Sequence, residues 1–231
     1  MNTIPASWLT VEFHCHTVFS RDSSNRIPEL IEQARARGLD RLAITDHNTI
    51  AGALEAKALA PGLVIVGEEI LTLQGELLAY YLKEEIPPRL SADETIARLR
   101  AQGAFIAVPH PFDRHRHGWK RDDLLRILPQ VDAIEVFNAR SFRCSLNDKA
   151  LFFTRDQQVP AIAGSDAHSL RELGYARTLL PPFTDTESLR QVVNQSVIKA
   201  RRLSAWAHAQ ANLAVAWGWL AGNWQNKEES A

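Results

Sequence analysis

The order of apolar and polar residues along the chain predicts strands that alternate with helices. Eight short runs are apolar almost throughout, which is typical of strands buried on both faces of a sheet. These predicted strands cover residues 10–16, 41–47, 63–70, 76–82, 104–110, 132–138, 159–166 and 176–181. Segments with helical spacing lie between most of them, at residues 28–38, 49–60, 91–103, 145–157 and 184–196. The alternation predicts an α/β fold with a parallel sheet and helices outside it, and the number of strands favours a closed barrel over an open sheet.

Turn and cap residues set the limits of the predicted helices. Pro28 begins the first helix and Gly38 ends it, as expected from the preference for Pro at helix starts and Gly at helix ends. Ser91 and Glu94 have capping-box spacing, and Gly103 ends that helix. Residues 1–204 are therefore interpreted as one domain, and residues 205–231 as a C-terminal Trp-rich helix packed on the barrel, followed by a short tail.

Composition and charge exclude several classes of protein. Of 231 residues, 45% are apolar and 23% charged, which is ordinary for a globular domain. The 26 basic and 27 acidic residues give a net charge of −1, so no overall field favours a stable nucleic-acid complex. Two cysteines are too few for a disulfide framework, and the N-terminus lacks the features of a secretory signal, so a cytoplasmic location is expected.

The C-terminal segment has an unusual composition. Residues 203–226 contain no Asp, Glu, Lys or Arg, but they are rich in Ala and carry His208 and Asn212, so no membrane span is expected. Apolar positions spaced by 7, 4, 3 and 4 would form one helical face. They are Trp206, Leu213, Trp217, Leu220 and Trp224. Packing on the barrel is the preferred interpretation, a homodimer through this helix is the second, and binding at a membrane surface is the third.

The histidines carry most of the information about function. Five of the eight lie where a predicted strand ends, and His115 follows in a loop. The five are His14, His16, His47, His110 and His168. In α/β barrels, sites form where strands end and loops begin. Because strand side chains alternate between faces, His14 and His16 should point one way and Cys15 the other.

Acidic residues at the same strand ends complete a candidate metal site. Asp166 shares a face with His168, and one carboxylate of the Glu68–Glu69 pair should point inward. His47 is the preferred ligand of the Asp46–His47 pair, and Asp46 is expected to support an imidazole. Helix capping is the structural alternative for Asp46 and Asp166, and capping or a turn is the alternative for Asp22. Such a set exceeds the four ligands of one zinc ion, so it predicts two or three divalent ions, with zinc, manganese or iron preferred.

Five segments resemble the PHP family, the polymerase and histidinol phosphatase domains. They are FHCHTVFSRDS, ITDHNTIAG, VGEEI, VPHP and AGSDAH, in the order of the family. The resemblance implies a distorted (βα)₇ barrel with a di- or trinuclear metal centre that hydrolyses phosphoesters. By position it implies that the metal ligands are His14, His16, Asp22, His47, Glu69, His110, Asp166 and His168. Many members carry a further histidine where this chain has residues 76–82, so either Glu76 takes its place or the site holds one ligand fewer.

The predicted function is hydrolysis of a phosphoester by a metal-activated hydroxide. Asp166 and His168 are the candidate catalytic residues, and the expected substrate is a small phosphorylated metabolite or a nucleotide. Arg140 and, after His110, Arg114 or Arg116 are candidate substrate-binding residues, since guanidinium groups bind phosphate in a bidentate way. Asn138 is a further candidate because it resembles the strand-end Asn of the family. Trp119, in the basic run 115–123, could stack on a base or anchor a loop. The alternatives are an amide or lactone hydrolase on the same barrel and a binding module without activity.

Overall fold

The computed structural model describes residues 4–141 and 143–201. Within these residues the chain forms nine strands, six α-helices and three short 3₁₀ helices. The strands are β1 (Leu9–Glu12), β2 (Arg41–Ile44), β3 (Val64–Leu71), β4 (Glu76–Tyr80), β5 (Phe105–Val108), β6 (Ala133–Asn138), β7 (Ala161–Gly164), β8 (Ala176–Leu180) and β9 (Val197–Ala200). The helices are α1 (Ile27–Ala36), α2 (Ala51–Leu59), α3 (Ala92–Ala101), α4 (Arg121–Ile127), α5 (Cys144–Asp156) and α6 (Thr186–Val192).

The strands form one mixed sheet that curls into a nearly closed barrel. Their order is β7-β6-β5-β4-β3-β2-β1-β8-β9. Between β7 and β8 the connection runs through side chains: the Ala163 amide donates to Thr178 Oγ1 at 2.9 Å, and the Ala176 amide donates to Ser165 Oγ at 3.0 Å. The predicted α/β barrel is therefore confirmed, with a seam between β7 and β8 that is not closed by a backbone ladder.

The structure has nine strands where eight were predicted, and the sheet is mixed where a parallel sheet was predicted. Four pairs are parallel, β1 with β2, β2 with β3, β5 with β6 and β6 with β7. Four are antiparallel, β3 with β4, β4 with β5, β1 with β8 and β8 with β9. A tight turn explains the first of these, because Thr72 bonds Gly75 through both its amide and its hydroxyl. Such a turn is too short for a helical crossover, so the next strand must run back.

Two apolar layers hold the barrel together. The inner layer fills the half of the barrel opposite the strand ends, here called the base, and includes Val11, Phe13 and Ile65. Leu189 and Val193, from α6 and the turn after it, belong to the same layer and close the base. The outer layer lies between the sheet and the surrounding helices, and α1 contributes Ile27, Leu30, Ile31 and Ala34 to the buried residues with helical spacing.

The first helices begin and end close to the predicted residues, whereas the helix predicted over residues 184–196 is shorter in the structure. Ser91 caps α3 by accepting a hydrogen bond from the Glu94 amide, and Gly38 adopts a φ of +67° after α1. The helix expected over 184–196 is shorter, because Asp185 caps it at Thr186 and the chain turns into β9 after Ser196. The proposed helix at 205–231 lies outside the described residues. In the described part of the chain, every helix is too short or too polar to cross a membrane.

Candidate metal centre

The candidate ligands meet at the end of the barrel where the parallel strands finish, here called the mouth. His14 and His16 follow β1, His47 follows β2, Glu69 lies near the end of β3, and His110 follows β5. Asp166 and His168 follow β7 in the same way. Isolated parallel bridges join Cys15 to Ala167 and His47 to Glu69 beyond the regular ladders. These bridges bring segments that are distant in the sequence to the same level of the barrel.

Glu69 lies at the middle of the group. Its carboxylate oxygens are 3.0 Å from His47 Nδ1 and 3.0 Å from His110 Nε2. The same carboxylate is 3.4 Å from His14 Nε2 and 3.4 Å from His16 Nε2. A side chain that reaches four imidazoles is suited to bridge two cations. Glu68 points away from the mouth and accepts a hydrogen bond from the Ile86 amide at 3.0 Å, as the alternation of strand side chains requires.

The two remaining acidic ligands border the same histidines. Asp166 Oδ1 is 3.2 Å from His16 Nε2 and 3.4 Å from His168 Nδ1. Asp22 lies at the outer side, with Oδ2 3.1 Å from His168 Nε2 and 3.6 Å from His47 Nε2. Its side chain is 57% exposed, so it is the candidate ligand most open to solvent. All eight predicted ligands therefore lie in one cluster, with Cys15 on the opposite side in the outer apolar layer.

Buried atoms without a partner indicate that this cluster fits metal ions. Within the described residues, His14 Nε2, His16 Nε2, His110 Nδ1 and Glu69 Oε2 are buried and accept or donate no hydrogen bond. Unsatisfied buried polar atoms are costly unless a ligand or ion completes them. Three sets each offer ligand atoms within 4.8 Å of one another: His14 with Glu69 and His110, His16 with His47 and His168, and His14 with His16 and Asp166.

A fourth set brings in Glu76. Its ligand atoms, with those of His47 and Glu69, also lie within 4.8 Å of one another. Glu76 begins β4, lines the mouth and has a carboxylate oxygen 3.7 Å from His110 Nε2. Burial and the charge of Glu69 raise the pKa of Glu76 to about 8. Glu76 therefore lies among the candidate ligands, in the segment 76–82 where the resemblance implies a further histidine.

The charges in the cluster are balanced between carboxylates and imidazoles. Burial alone would raise the pKa of Glu69, but the positive charges of His14 and His47 hold it well below its usual range. Burial opposes protonation of His14, yet Glu69 and Glu135 outweigh it and raise the pKa of His14 to about 10. Burial lowers the pKa of His168 to about 4, so this imidazole is neutral at pH 7. The carboxylates therefore attract positive charge, and His168 keeps a neutral ring nitrogen available for a cation.

Three buried glutamates that the sequence analysis missed support the ligands. Glu135 lies 3.0 Å from His14 Nδ1 and accepts a hydrogen bond from the His110 amide at 2.9 Å. Glu12 accepts from the Ser165 amide at 2.8 Å and the Gly174 amide at 3.0 Å. Glu172 accepts from the amide of His168 at 2.8 Å. Glu12 and Glu135 each interrupt an apolar run, which was the available signal, because an isolated carboxylate in such a run needs buried partners. Glu172 lies in a polar loop and gave no such signal.

Asp46 supports the centre through hydroxyl groups. It accepts hydrogen bonds from the Thr17 hydroxyl at 2.7 Å and the Ser20 hydroxyl at 2.7 Å. Ser20 Oγ is in turn 3.1 Å from His16 Nδ1 and accepts a hydrogen bond from the His47 amide at 3.1 Å. Asp46 therefore acts on two candidate ligands through Ser20. Gly52 is needed here, because a Cβ at that position would clash with Asp46 Oδ2.

The mouth opens into a cavity of about 450 Å³ with two arginines in its wall. Arg140, expected to bind substrate, lines the cavity and has Nη1 3.7 Å from Glu172 Oε2. Arg116 also lines it and contacts Asp166 and Asn138. Arg114, the other predicted arginine, is exposed and is not among the lining residues, because the 3₁₀ turn at Arg114–Arg116 points Arg116 inward instead. Of the two arginines expected after His110, Arg116 and not Arg114 therefore lines the cavity.

Asn138 and Trp119 are both buried, and neither of them lines the cavity. Asn138 is buried, and its amide donates to Asp166 Oδ2 at 3.1 Å and to Glu135 Oε2 at 3.0 Å. It therefore positions Asp166 and is not among the residues that line the cavity. Trp119 is also buried, and its Nε1 donates to the Glu76 carbonyl at 2.8 Å. Trp119 anchors the loop that carries Arg116 and offers no face for stacking on a base.

Comparison with known proteins identifies the family. The PHP domain model matches residues 12–87, and the PHP-associated model matches residues 145–201. An uncharacterised protein of Methanocaldococcus jannaschii, MJ0417, is 36% identical over 173 residues, which are 73% of this chain and 69% of that one. A second protein of the same organism, MJ1587, is 34% identical over 146 residues, 57% of this chain and 82% of that one. The chain belongs to the PHP family.

Solved structures share the fold. PsfC of Pseudomonas syringae superposes with a TM-score of 0.71 at 17% identity, over 91% of this chain and 99% of that one. A protein of Bifidobacterium adolescentis, described as a candidate metal-dependent phosphoesterase, gives 0.60 at 20% identity, over 81% and 96% of the two chains. At these identities the likeness concerns the fold alone. Family membership and the donor set together support a metal-dependent hydrolase.

Proposed function

We propose that the protein is a metal-dependent phosphoesterase that acts on a small phosphorylated metabolite or nucleotide. The observation that carries this proposal is the presence of Arg116 and Arg140 in the wall of the cavity that contains the ligand cluster. Guanidinium groups bind phosphate oxygens in pairs, and a fixed positive charge beside a metal centre is suited to a substrate that is itself anionic. A cavity of about 450 Å³ has the size of a site for a small molecule.

The ligand sets support a centre with more than one ion. His14, Glu69 and His110 would hold one divalent cation, and His16, His47 and His168, with Asp22 at the outer side, would hold a second. Glu69 faces both groups and would be shared between them. Glu76 is the proposed additional ligand. Nitrogen and oxygen donors without a thiolate suit zinc, manganese or iron. When bound, such ions supply Lewis-acid chemistry and make water nucleophilic near neutral pH.

The residues of the chain have separate tasks in the proposed reaction. Arg140 and Arg116 bind the phosphoryl oxygens and stabilise the negative charge that grows on them. Asp166, held by Asn138, orients the attacking water and accepts one of its protons. The water oxygen bonds to phosphorus, the ester P–O bond breaks, and a proton reaches the leaving oxygen. His168 and Asp22 hold the outer side of the cluster.

The test combines metal analysis with a substrate screen. The full chain is stripped with a chelator, reloaded with manganese, zinc or iron, and assayed on an aryl phosphate, an aryl phosphodiester, nucleotides, sugar phosphates and histidinol phosphate. We expect at least two ions per chain and activity that disappears on chelation. Bound metal without phosphoester cleavage would favour an amide or lactone hydrolase, and absence of bound metal would favour a binding module.

Variants of single residues test the assigned roles. His16→Ala and Asp166→Asn should each abolish turnover and leave the circular dichroism spectrum unchanged. Arg140→Ala should lower kcat/KM about 10²-fold, because one donor to the phosphoryl group is lost. Arg114→Ala is the matched control on the exposed side of the loop and should be close to wild type. Equal effects of the two arginine variants would remove Arg140 from substrate binding.

A further inference from the structure

An apolar groove lies on the outside of the barrel, away from the metal centre. Its volume is about 470 Å³, and it runs between α5 and the strand β9. The apolar side chains that line it are Val136, Phe137, Leu151, Ala161, Val197 and Ile198. Val197, in the wall of the groove, is 36% exposed. Apolar surface of this kind, collected in one concave region, is typical of a binding site.

The chain topology explains why the groove is open. β7 and β8 are joined by residues 165–175, and this connection contains no helix. α6 follows β8 but directs Leu189 into the base of the barrel, so it does not cover the outside of the seam. Phe137 is a strand residue and yet only half-buried. Among the described residues, no helix covers the outer side of the groove between α5 and β9.

The end of the described chain lies beside this groove. Ala200 pairs with Ala176 at the mouth side of the seam, and the Arg201 amide donates to the Tyr175 carbonyl at 2.8 Å. Cys144 begins α5 at the same side of the barrel and lines the groove. Residue 202 therefore starts within a few residues of Ile198, which is itself part of the groove wall.

The sequence that follows has the composition of a segment that covers apolar surface. Residues 203–226 contain no Asp, Glu, Lys or Arg, and Trp206, Leu213 and Trp217 share one face of the predicted helix. The α5 face from Cys144 to Arg155 is about 17 Å long at 1.5 Å per residue. Residues 206–220 would span about 21 Å as a helix, which is enough to follow it.

We propose that residues 203–226 cover this groove in the same molecule, with Trp206 near Cys144 and Leu220 near Arg155. The tether supports the same molecule over a second copy. Because only seven residues lie between Ile198 and Trp206, the effective concentration of the segment at the groove is in the millimolar range for a short tether, far above that of another chain in dilute solution. The segment completes the outer layer of the barrel at the seam.

The exposed thiol of Cys144 reports on the groove. The other cysteine, Cys15, is fully buried, so a maleimide reacts at Cys144 in the folded full-length protein. We expect slow alkylation in the wild type and at least about tenfold faster alkylation in Trp206→Ser/Trp217→Ser, because a cover worth 1.4 kcal/mol changes accessibility tenfold. Val197→Ser, on the groove side, should act in the same direction.

A matched variant distinguishes a specific face from general disturbance. Trp219 lies on the other side of the predicted helix from Trp217, so Trp219→Ser should leave the alkylation rate within twofold of wild type. The direction of the segment is tested with Ala207→Cys and Ala221→Cys. Under mild oxidation the first should form a disulfide with Cys144 at least about tenfold faster than the second, since only the first lies near it. Equal rates would overturn the proposed direction.

Other occupants would give different results, and each would overturn the proposal. If a second copy covers the groove, the protection of Cys144 is lost on dilution and light scattering reports a dimer. If the segment binds membranes instead, Cys144 reacts quickly in the free protein, and tryptophan fluorescence changes only when vesicles of phosphatidylglycerol and phosphatidylcholine are added. Wild-type alkylation as fast as that of the double variant, with no vesicle binding, would mean that nothing covers the groove.

Discussion

The two ends of the barrel are built by the same strands but differ in chemistry. β1 contributes Val11 to the base, and the residues after it place His14 at the mouth. β3 likewise contributes Ile65 to the base and Glu69 to the mouth. The base is closed by Leu189 and is apolar, while the mouth holds histidines and carboxylates. Stability and function are therefore separated along the strand direction, as is common in α/β barrels.

The mouth is the energetically costly end. It contains buried polar atoms without hydrogen-bond partners in the described residues, whereas the side chains of the base satisfy one another by packing. Two candidate ligands also have left-handed backbones, with φ of +27° at His110 and +53° at Asp166. Such conformations cost free energy in residues other than glycine and persist only where the surroundings impose them. Substitutions at the mouth should therefore lower metal binding and activity, whereas substitutions at the base should lower the free energy of unfolding.

The largest expected effect concerns the two adjacent glutamates of β3. Glu69→Gln removes the charge shared by four imidazoles, so we expect loss of at least one bound ion and a fall of about 10³-fold in kcat/KM. Glu68→Gln, which faces the opposite side of the strand, should keep the wild-type metal content. Mass spectrometry of bound metal and the phosphoester assay check both. Full metal content in Glu69→Gln would contradict the assignment of Glu69 as a shared ligand at the mouth.

Leu189→Ala tests the base. Leu189 is fully buried in the inner apolar layer, so its truncation should lower the free energy of unfolding by about 2–5 kcal/mol through lost packing and a cavity. The folded fraction should keep its metal content and its kcat. Leu59→Ala, at an exposed position, is the control and should change stability by less than about 0.5 kcal/mol. Urea unfolding gives the values, and a lower metal stoichiometry would show that the two ends are coupled.

Glu135→Gln should produce an intermediate effect at the mouth. Its carboxylate orients His14 through Nδ1, and the loss of such a contact typically weakens metal affinity about 10–100-fold. Competition with a chromophoric chelator measures the change. Glu94→Gln, on the exposed surface of α3, is the control with the same chemical change. A metal affinity equal to that of the control would mean that Glu135 stabilises the fold without orienting His14 for metal binding.

The smallest expected effect is the pH dependence contributed by Glu68. Burial raises the pKa of Glu68 to about 8 from 4.5, so the folded protein holds a proton that the unfolded chain releases between these values. The contribution of Glu68 to the free energy of unfolding is therefore fully present below pH 4.5 and is lost as the pH rises to about 8. Glu68→Gln should gain ~1–3 kcal/mol relative to wild type between pH 5 and pH 8. Urea unfolding in chelator at both pH values checks this, and parallel profiles would contradict it.

The ligand positions could be predicted because they depend on local rules. Strand alternation predicted that one of Glu68 and Glu69 points inward, and the resemblance to the PHP family selected Glu69. Alternation also put Cys15 on the side opposite to His14 and His16. Helix caps such as Ser91 are equally local, since donor and acceptor lie three residues apart. Supporting residues such as Glu135 could not be assigned in the same way. Its partner His14 is 121 residues away, so the reason for its burial is invisible along the chain.

The periodicity of the strands and helices and the places of most candidate ligands follow from residues that are close in the sequence, through side-chain alternation and short-range capping. The barrel was inferred from the number of strands, and the choice of Glu69 over Glu68 from the resemblance to the PHP family. The tertiary structure alone decided the reversed direction of β4, the added edge strand β9 and the choice of Arg116 over Arg114. Each of these depends on how a turn or a loop packs against distant strands. Contacts of that kind are fixed only when the chain is folded.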